Sequence, residues 1–205
     1  MRSPASYAYL KALVWLMAAA PLVDLGILTW TASLGVNPQE TLLRATGTWC
    51  LTLLLLTLAL TPLRIWFQWA ELIRLRRMLG LWVFVYAVIH FLGFWAFEHD
   101  FLWRAVVEDA LKRPFVAVGL LALVLLLPLA LTSNNWSMRR LGSRWKTLHR
   151  LVYLIAALAV VHFYLHKAGK NDFTDPTIAL IVLGLLLAAR WIPLNSRRLD
   201  QSGRR

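Results

Sequence analysis

The chain has 205 residues, of which 60% are hydrophobic, and a formal net charge of +12. A soluble domain is usually about 45–50% apolar, and the excess here lies in long runs at residues 51–63, 116–131 and 178–189. Such runs predict bilayer-spanning helices. The positive charge does not indicate nucleic-acid binding, because most basic residues occupy short segments between the runs, with no zinc spacing and no Gly-rich phosphate loop.

The hydropathy pattern predicts an all-α bundle of six transmembrane helices forming one domain over residues 1–205. Of the 22 Lys and Arg residues, 16 lie on the side of the predicted bundle that carries both chain ends. The positive-inside rule therefore predicts cytoplasmic termini in a bacterial inner membrane. Pro21 directly follows three alanines, so the first run is interpreted as a retained helix and not a cleaved signal. The predicted spans are approximately 10–31, 45–63, 79–97, 115–131, 147–166 and 177–194.

Histidines inside the predicted spans are the main functional signal. Ionisable side chains at membrane depth are costly, and neutral imidazoles on facing helices can ligate haem iron. His90 follows Arg77 by 13 residues, or about 20 Å of helix, and His162 follows Arg144 by 18 residues, or about 27 Å. Because the two spans run in the same direction, His90 and His162 are predicted as the best axial pair. The alternative for His90 is a hydrogen bond to a neighbouring helix.

His149 fits this pair less well. It lies only about 7 Å along the helix from Arg144, and a 13-residue separation places it roughly 140° around a straight helix from His162. Both could face one partner only if the helix were over- or under-wound, for example by a π-bulge. His149 could therefore ligate a second haem, orient a quinone or flavin, or be an interfacial histidine.

Four other residues receive plainer interpretations. His166 is interpreted as either a substitute ligand or an ordinary polar residue at the membrane interface. His99 lies in an acidic loop and is expected to be exposed to solvent. Asp24 inside span 1 favours a structural pairing over proton movement. Cys50 is the sole cysteine and is interpreted as packing, so no intrachain disulfide forms. The chain also lacks CxxCH, so a haem would be held without a thioether bond.

Several segments together resemble a known family. Their arrangement over nearly the whole chain is similar to the MsrQ (YedZ) family, the haem-binding membrane subunits of bacterial periplasmic methionine sulfoxide reductase systems. That family belongs to the ferric reductase-like transmembrane superfamily. The segments are 76–82 before His90, 131–133 at the end of span 4, 140–153 before His162, 61–63 ending span 2 and 113–114 opening span 4.

The resemblance implies haem b and also FMN as cofactors. Electrons would arrive from the quinol pool or a cytosolic flavin reductase and leave to the periplasmic molybdopterin subunit MsrP, which repairs oxidised methionines. The catalytic centre is then expected on the partner, and no catalytic residue is assigned here. The family's haem-associated histidines correspond to His90, His149 and His162. Relatives with two haems carry two histidines on each of two helices, so with His90 alone in span 3 a second haem would need an unusual ligand.

Two other functions stay open from the sequence. A quinol-oxidising cytochrome b subunit of another dehydrogenase or reductase would use the same histidines. A small transporter or assembly factor is compatible with six spans and with Asp24. The chain ends about ten residues after the last predicted span without any resemblance to a flavin- or NADPH-binding domain, so the electron donor is expected to be a separate molecule.

Overall fold

The structure, a computed structural model, describes residues 4–169 and 171–190, with side chains from residue 6 onward. The end of the predicted sixth span (191–194) lies outside the described residues. So do several basic residues that contribute to the predicted orientation: Arg2, Lys170, Arg197, Arg198, Arg204 and Arg205.

The described residues form an all-α structure without strands, as predicted. Long apolar helices coincide with the first five predicted spans, the fifth being covered by α7 with α8, and the shorter α9 overlaps the sixth. The helices are α1 (Pro4–Trp30), α2 (Pro38–Phe67), α3 (Leu72–His99), α4 (Trp103–Lys112), α5 (Pro114–Leu131), α6 (Asn135–Leu141), α7 (Ser143–His149), α8 (Leu151–Ala168) and α9 (Thr174–Ala188).

Within the described residues, five segments are long and apolar enough to cross a bilayer, which makes this a multi-pass membrane protein. They are formed by α1, α2, α3, α5 and the continuous stretch Ser143–Ala168. Helix α9 is apolar but has only 15 residues, which is shorter than a full span. Six spans and cytoplasmic termini therefore stay predictions.

Local sequence signals explain where the long helices begin. Asn37 caps α2 by accepting a hydrogen bond from the Glu40 backbone N–H, and Pro38 occupies the first helical position. Pro114 similarly opens α5 directly after Arg113. Pro has no backbone N–H to leave unsatisfied at this position, and its φ suits the helix.

The core lies where two helix pairs meet. Helix α2 packs along α3 and α5 packs along α8, and α3 also contacts α5. The largest fully buried side chains in this core include Leu58 of α2, Val83 and Tyr86 of α3, and Val160 of α8. His90 is on α3 and His162 is on α8, so the contact between the two helix pairs brings the two predicted axial residues together.

Helix α1 is attached to this core by few contacts. The Tyr86 hydroxyl donates to the Ala18 carbonyl at 2.8 Å, and the rings of Trp15 and Trp82 meet edge to face at 5.4 Å. Asp24 lies on the exposed side of α1, with no hydrogen bond or ion pair to any described residue. The structural pairing expected for Asp24 is therefore not found among the described residues.

Candidate functional site

A cavity of about 450 Å³ opens between α2, α3, α5 and α8 at the end of the bundle that carries α4. Its walls are mostly apolar, with Leu54, Val83 and Ile155 among the lining side chains. His90 and His162 both line it, whereas His149 does not. Its volume lies within the range of small-molecule and cofactor sites, about 300–1,000 Å³.

His90 of α3 and His162 of α8 face each other across this cavity. Their ring centroids are 6.3 Å apart and their planes are nearly perpendicular, at 87°. Imidazole–metal bonds are about 2 Å long and a ring nitrogen lies about 1.1 Å from its centroid, so two imidazoles on opposite sides of one metal have centroids about 6 Å apart. The observed separation therefore fits a pair of axial ligands.

Each of these rings is held by a backbone carbonyl on a facing helix. Nδ1 of His90 lies 3.0 Å from the Leu43 carbonyl oxygen, and Nδ1 of His162 lies 2.7 Å from that of Phe115. A carbonyl only accepts, so Nδ1 carries the proton and Nε2 is left as the basic nitrogen. No described residue hydrogen-bonds to either Nε2. Two metal-competent nitrogens are thus presented to the cavity.

Glycines lie directly beneath both rings. A Cβ added to Gly47 would meet His90 Cε1 at 3.1 Å, and one added to Gly119 would meet Cε1 and Nδ1 of His162 at 2.8 Å. Any side chain at these positions would push on the imidazoles. The close approach of α5 to His162 therefore requires glycine, whereas the contact of α2 with His90 is tight but could be relieved by a small shift.

Charged side chains surround the mouth of the cavity. Three cations line it, namely Arg44, Arg113 and Lys167, and His166 lies beside them. Each cation also pairs with a nearby carboxylate: Arg44 with Glu40 at 2.8 Å, Arg113 with Asp109, and Lys167 with Asp172. The cations at the mouth are therefore paired, and Glu40 and Glu98 also line the cavity beside them.

The ion pairs near α4 correct one prediction. His99 is not exposed: its side chain retains 9% of its accessible surface, and its ring packs on Phe94 at 4.7 Å. Its Nε2 lies 3.1 Å from a carboxylate oxygen of Asp109, which also accepts from Arg113. The prediction failed because α4, which was not predicted, folds back and covers the end of α3.

The cluster formed by Asp109, Arg113 and His99 is sensitive to pH because of the Asp109 carboxyl. Burial alone would raise the pKa of this carboxyl, but hydrogen bonds from Arg113 and His99 outweigh burial and hold the pKa below its usual value. A depressed pKa means that the stabilisation is present above the usual aspartate pKa of about 4 and is lost as the pH falls through the folded-state value.

Replacing Asp109 by asparagine is therefore expected to destabilise the protein by about 1–3 kcal/mol at neutral pH, because Arg113 and His99 lose a charged partner. Thermal unfolding in detergent, scanned from pH 7 down to pH 3, measures the effect. The wild-type advantage should shrink below about pH 4, where aspartates protonate. Glu108→Gln is the matched control, since Glu108 forms only an exposed pair with Arg104. An advantage that persists unchanged at pH 3 contradicts the role given to Asp109.

His149 occupies a separate site at the opposite end of the bundle. Its ring stacks on Trp145 at 3.8 Å, and its Nδ1 lies 3.1 Å from the Trp145 carbonyl oxygen. Its Nε2 is buried and has no hydrogen-bond partner among the described residues. Like His90 and His162, His149 has no hydrogen-bond partner at Nε2 among the described residues, but it does not line their cavity.

The helix that carries His149 and His162 is interrupted between these two residues. Helix α7 ends at His149 and α8 begins at Leu151, with Arg150 between them. The backbone N–H of Arg150 bonds to the Thr147 carbonyl and that of Tyr153 to the Arg150 carbonyl, both three residues back. The segment is therefore tightened as in a 3₁₀-helix, the opposite of the π-bulge given as an example from the sequence.

Three of the segments that carry the resemblance, 76–82, 131–133 and 140–153, meet near His149. Arg77 donates to the Ser133 carbonyl and to the Asn135 side chain, both at 2.6 Å, and Trp145 Nε1 donates to the Thr132 carbonyl at 2.9 Å. On the other side of α8, Arg190 donates to the Tyr153 hydroxyl. These residues fix how the α3, α5 and α8 ends that flank His149 pack together.

Comparisons with known proteins identify the family of this chain. Residues 46–160 match the family described as ferric reductase like transmembrane component. The chain is 48% identical over 189 residues to the protein-methionine-sulfoxide reductase heme-binding subunit MsrQ of Herminiimonas arsenicoxydans, covering 92% of this chain and 87% of the relative. The chain belongs to the MsrQ family. The MsrQ proteins of Ralstonia nicotianae (44% identity, 97% and 93% covered) and Rhodospirillum rubrum (43%, 93% and 90%) are similar over the same length.

A repeat in this MsrQ family member could have revealed more of the site from the sequence. The pattern Ala-Val-x-His-Phe occurs at 87–91 and again at 159–163. In both copies the carbonyl that holds Nδ1 lies 47 residues before the histidine. Gly47 and Gly119 each lie 43 residues before theirs. The histidines were predicted from the sequence, whereas the glycines and the carbonyls were not, because neither contributes a side-chain signal.

Proposed function

We propose that this protein is a haem b electron-transfer subunit of a bacterial inner-membrane methionine sulfoxide reductase system, with His90 and His162 as the axial ligands. The observation that carries the proposal is the facing of the two rings at 6.3 Å across a mostly apolar cavity. The relatives are named as heme-binding subunits of the same kind of system.

The donor set of the cavity favours haem over a metal held by the protein alone. Two imidazoles supply two ligands, and no group of three or more His, Cys, Asp or Glu side chains that could hold a metal occurs among the described residues. Structural metal sites made only of protein normally use four ligands. In haem the macrocycle supplies the remaining four, so two axial histidines suffice.

The surroundings also suit the shape and charge of haem. The apolar walls would contact the macrocycle, and Arg44, Arg113 and Lys167 at the mouth would face its propionates. Haem, when bound, supplies one-electron chemistry. The chain's own residues would hold the iron axially, donate from Nδ1 to backbone carbonyls, and keep water away from the centre. Hydrogen bonds of this type fix the tautomer and raise the basicity of the ligand.

The proposed donor and acceptor of electrons are those that the family implies. Electrons would enter from the quinol pool or a cytosolic flavin reductase and leave to a periplasmic molybdopterin partner, MsrP, in the repair of oxidised proteins. His149, with its buried unpaired Nε2, would be the residue for a second haem, or for a quinone or flavin site. FMN binding stays a prediction from the family, and no described residue is assigned to it.

The purified protein is expected to show a Soret band and a sharp α-band on reduction, and a pyridine haemochrome assay should give at least one haem b per chain. Mixing the reduced protein with the purified MsrP subunit and methionine sulfoxide should reoxidise the haem. Protein from haem-replete membranes without a haem spectrum would refute the proposal. Haem that is reoxidised only by another reductase would instead favour a cytochrome b of a different system.

A further inference from the structure

The two histidines of the cavity are held in the same way by two separate helix pairs. In each pair a glycine lies beneath the ring, and the carbonyl four residues before that glycine lies at Nδ1. The pairs are Gly47 with Leu43 beneath His90, and Gly119 with Phe115 beneath His162. The histidine, the glycine and the carbonyl recur with a 72-residue offset along the chain, whereas the Thr46 hydroxyl, 3.3 Å from Nδ1 of His90, has no counterpart because residue 118 is valine.

Helix geometry explains why the glycine and the carbonyl belong together. In an α-helix the carbonyl of one residue accepts the N–H of the residue four positions later. The Leu43 carbonyl therefore points at the Gly47 N–H, and the Phe115 carbonyl points at that of Gly119. A carbonyl oxygen has two lone pairs, so it can accept a second donor from the side. A histidine ring can reach that lone pair only if the later residue has no Cβ in the way.

We propose that Gly47 and Gly119 are positioning residues for the two axial imidazoles. Each glycine opens the side of its helix so that a ring can donate Nδ1–H to a carbonyl that is already part of the helix. The ring is then fixed in position, tautomer and rotation by main-chain atoms. The inference rests on the proposed function, since it assigns these glycines to haem ligation.

Alanine at position 119 should disturb its histidine more than alanine at position 47. At Gly119 an added Cβ would lie 2.8 Å from two ring atoms of His162, too close unless the ring or α5 moves. At Gly47 the nearest ring atom would be 3.1 Å away, which a small shift could relieve. Because loss of such an outer hydrogen bond typically costs about 10–100-fold in metal affinity, we expect Gly119→Ala to lie within that range and Gly47→Ala below it.

The chain offers matched controls. A Cβ added to Gly80 of α3 or Gly184 of α9 would meet nothing within 4 Å. Alanine at these positions should leave the haem unchanged and should not weaken the helices, because alanine has the higher helix propensity. Gly80 lies on the same helix as His90, so the comparison separates an effect on the ring from an effect on the helix.

The test uses the full-length haem-loaded protein and the four Gly→Ala variants. Ferric optical and electron paramagnetic resonance spectra report the low-spin fraction, and transfer of haem to excess apomyoglobin reports its affinity. Spectra taken on membranes before purification also include variants that are unstable in detergent. We expect Gly119→Ala to become partly high-spin and to lose haem faster, Gly47→Ala to shift its low-spin signal, and both controls to match the wild type.

The outcomes distinguish this inference from the proposed function. If the wild type holds no low-spin haem, the proposed function itself fails. If the wild type does hold it and Gly119→Ala is indistinguishable from Gly184→Ala, the positioning role is refuted. A variant that only unfolds at a lower temperature while its spin state and haem transfer stay normal also refutes it, because that pattern reports packing alone.

Discussion

Replacing His162 by alanine is expected to remove the low-spin haem b signal from the protein, and replacing His90 should do the same. Each change would leave a haem iron bound in this mostly apolar cavity with a single protein ligand. Because loss of outer-sphere partners alone typically costs about 10–100-fold in metal affinity, loss of a ligand should exceed 100-fold. Pyridine haemochrome content per chain and the ferric optical spectrum measure the effect.

Two further variants test whether loss of the low-spin signal is specific to His90 and His162. His166→Ala is the matched control, because His166 lies one turn from His162 and lines the same cavity. It should keep the low-spin signal. His149→Ala should also keep this signal, and a fall in total haem that spares it would assign a second haem to the far site. Loss of the signal in His149→Ala with retention in His90→Ala would contradict the assigned pair.

The angle between the two rings adds an independent readout. The planes of His90 and His162 are nearly perpendicular, and both rings are restrained by hydrogen bonds at Nδ1. Perpendicular axial planes leave two iron d orbitals close in energy, which gives a strongly anisotropic low-spin resonance. We expect that type of spectrum from the wild type. A spectrum typical of parallel imidazoles would mean that haem binding rotates one of the rings.

The second large effect is expected at Tyr86, whose side chain is fully buried at the centre of the bundle. Tyr86→Ala should destabilise the protein by about 3–5 kcal/mol, the usual cost of removing a buried aromatic ring. Tyr86→Phe should cost only about 1 kcal/mol, the net value of the hydrogen bond to Ala18. Unfolding in mixed SDS–detergent micelles measures both.

The control for Tyr86 is Ile89→Ala on the same helix. Ile89 keeps 37% of its surface exposed, so its truncation should have a much smaller effect. Since Tyr86 also joins α3 to α1, Tyr86→Ala should increase proteolysis of α1 before the rest of the bundle unfolds. Equal destabilisation by Tyr86→Ala and Ile89→Ala would contradict the central position of this ring.

Much of the fold was predictable because hydropathy and span length are local properties of the chain. Depth along the helix predicted that His90 and His162 would lie close together, as they do in the structure, while their role as axial ligands and the role of His149 stay predictions. The tightening at Arg150 and the folding of α4 over His99 were not predictable, since both arise from packing between segments distant in sequence. The acceptors for Nδ1 were missed for a related reason, because a backbone carbonyl is present at every position and is selected only by the tertiary structure.

Anchoring by main-chain atoms has a consequence for how this site can change in evolution. The carbonyls at residues 43 and 115 are supplied whatever side chain those positions carry, so Leu43 and Phe115 can be exchanged for other helix-compatible residues without loss of the acceptor. Selection for the orientation of the two rings then falls on the histidines, on the glycines beneath them, and on the Thr46 hydroxyl and Phe115 ring that also contact them. Substitutions can accumulate on the remaining surfaces of α2 and α5 while the orientation of the two rings stays constant.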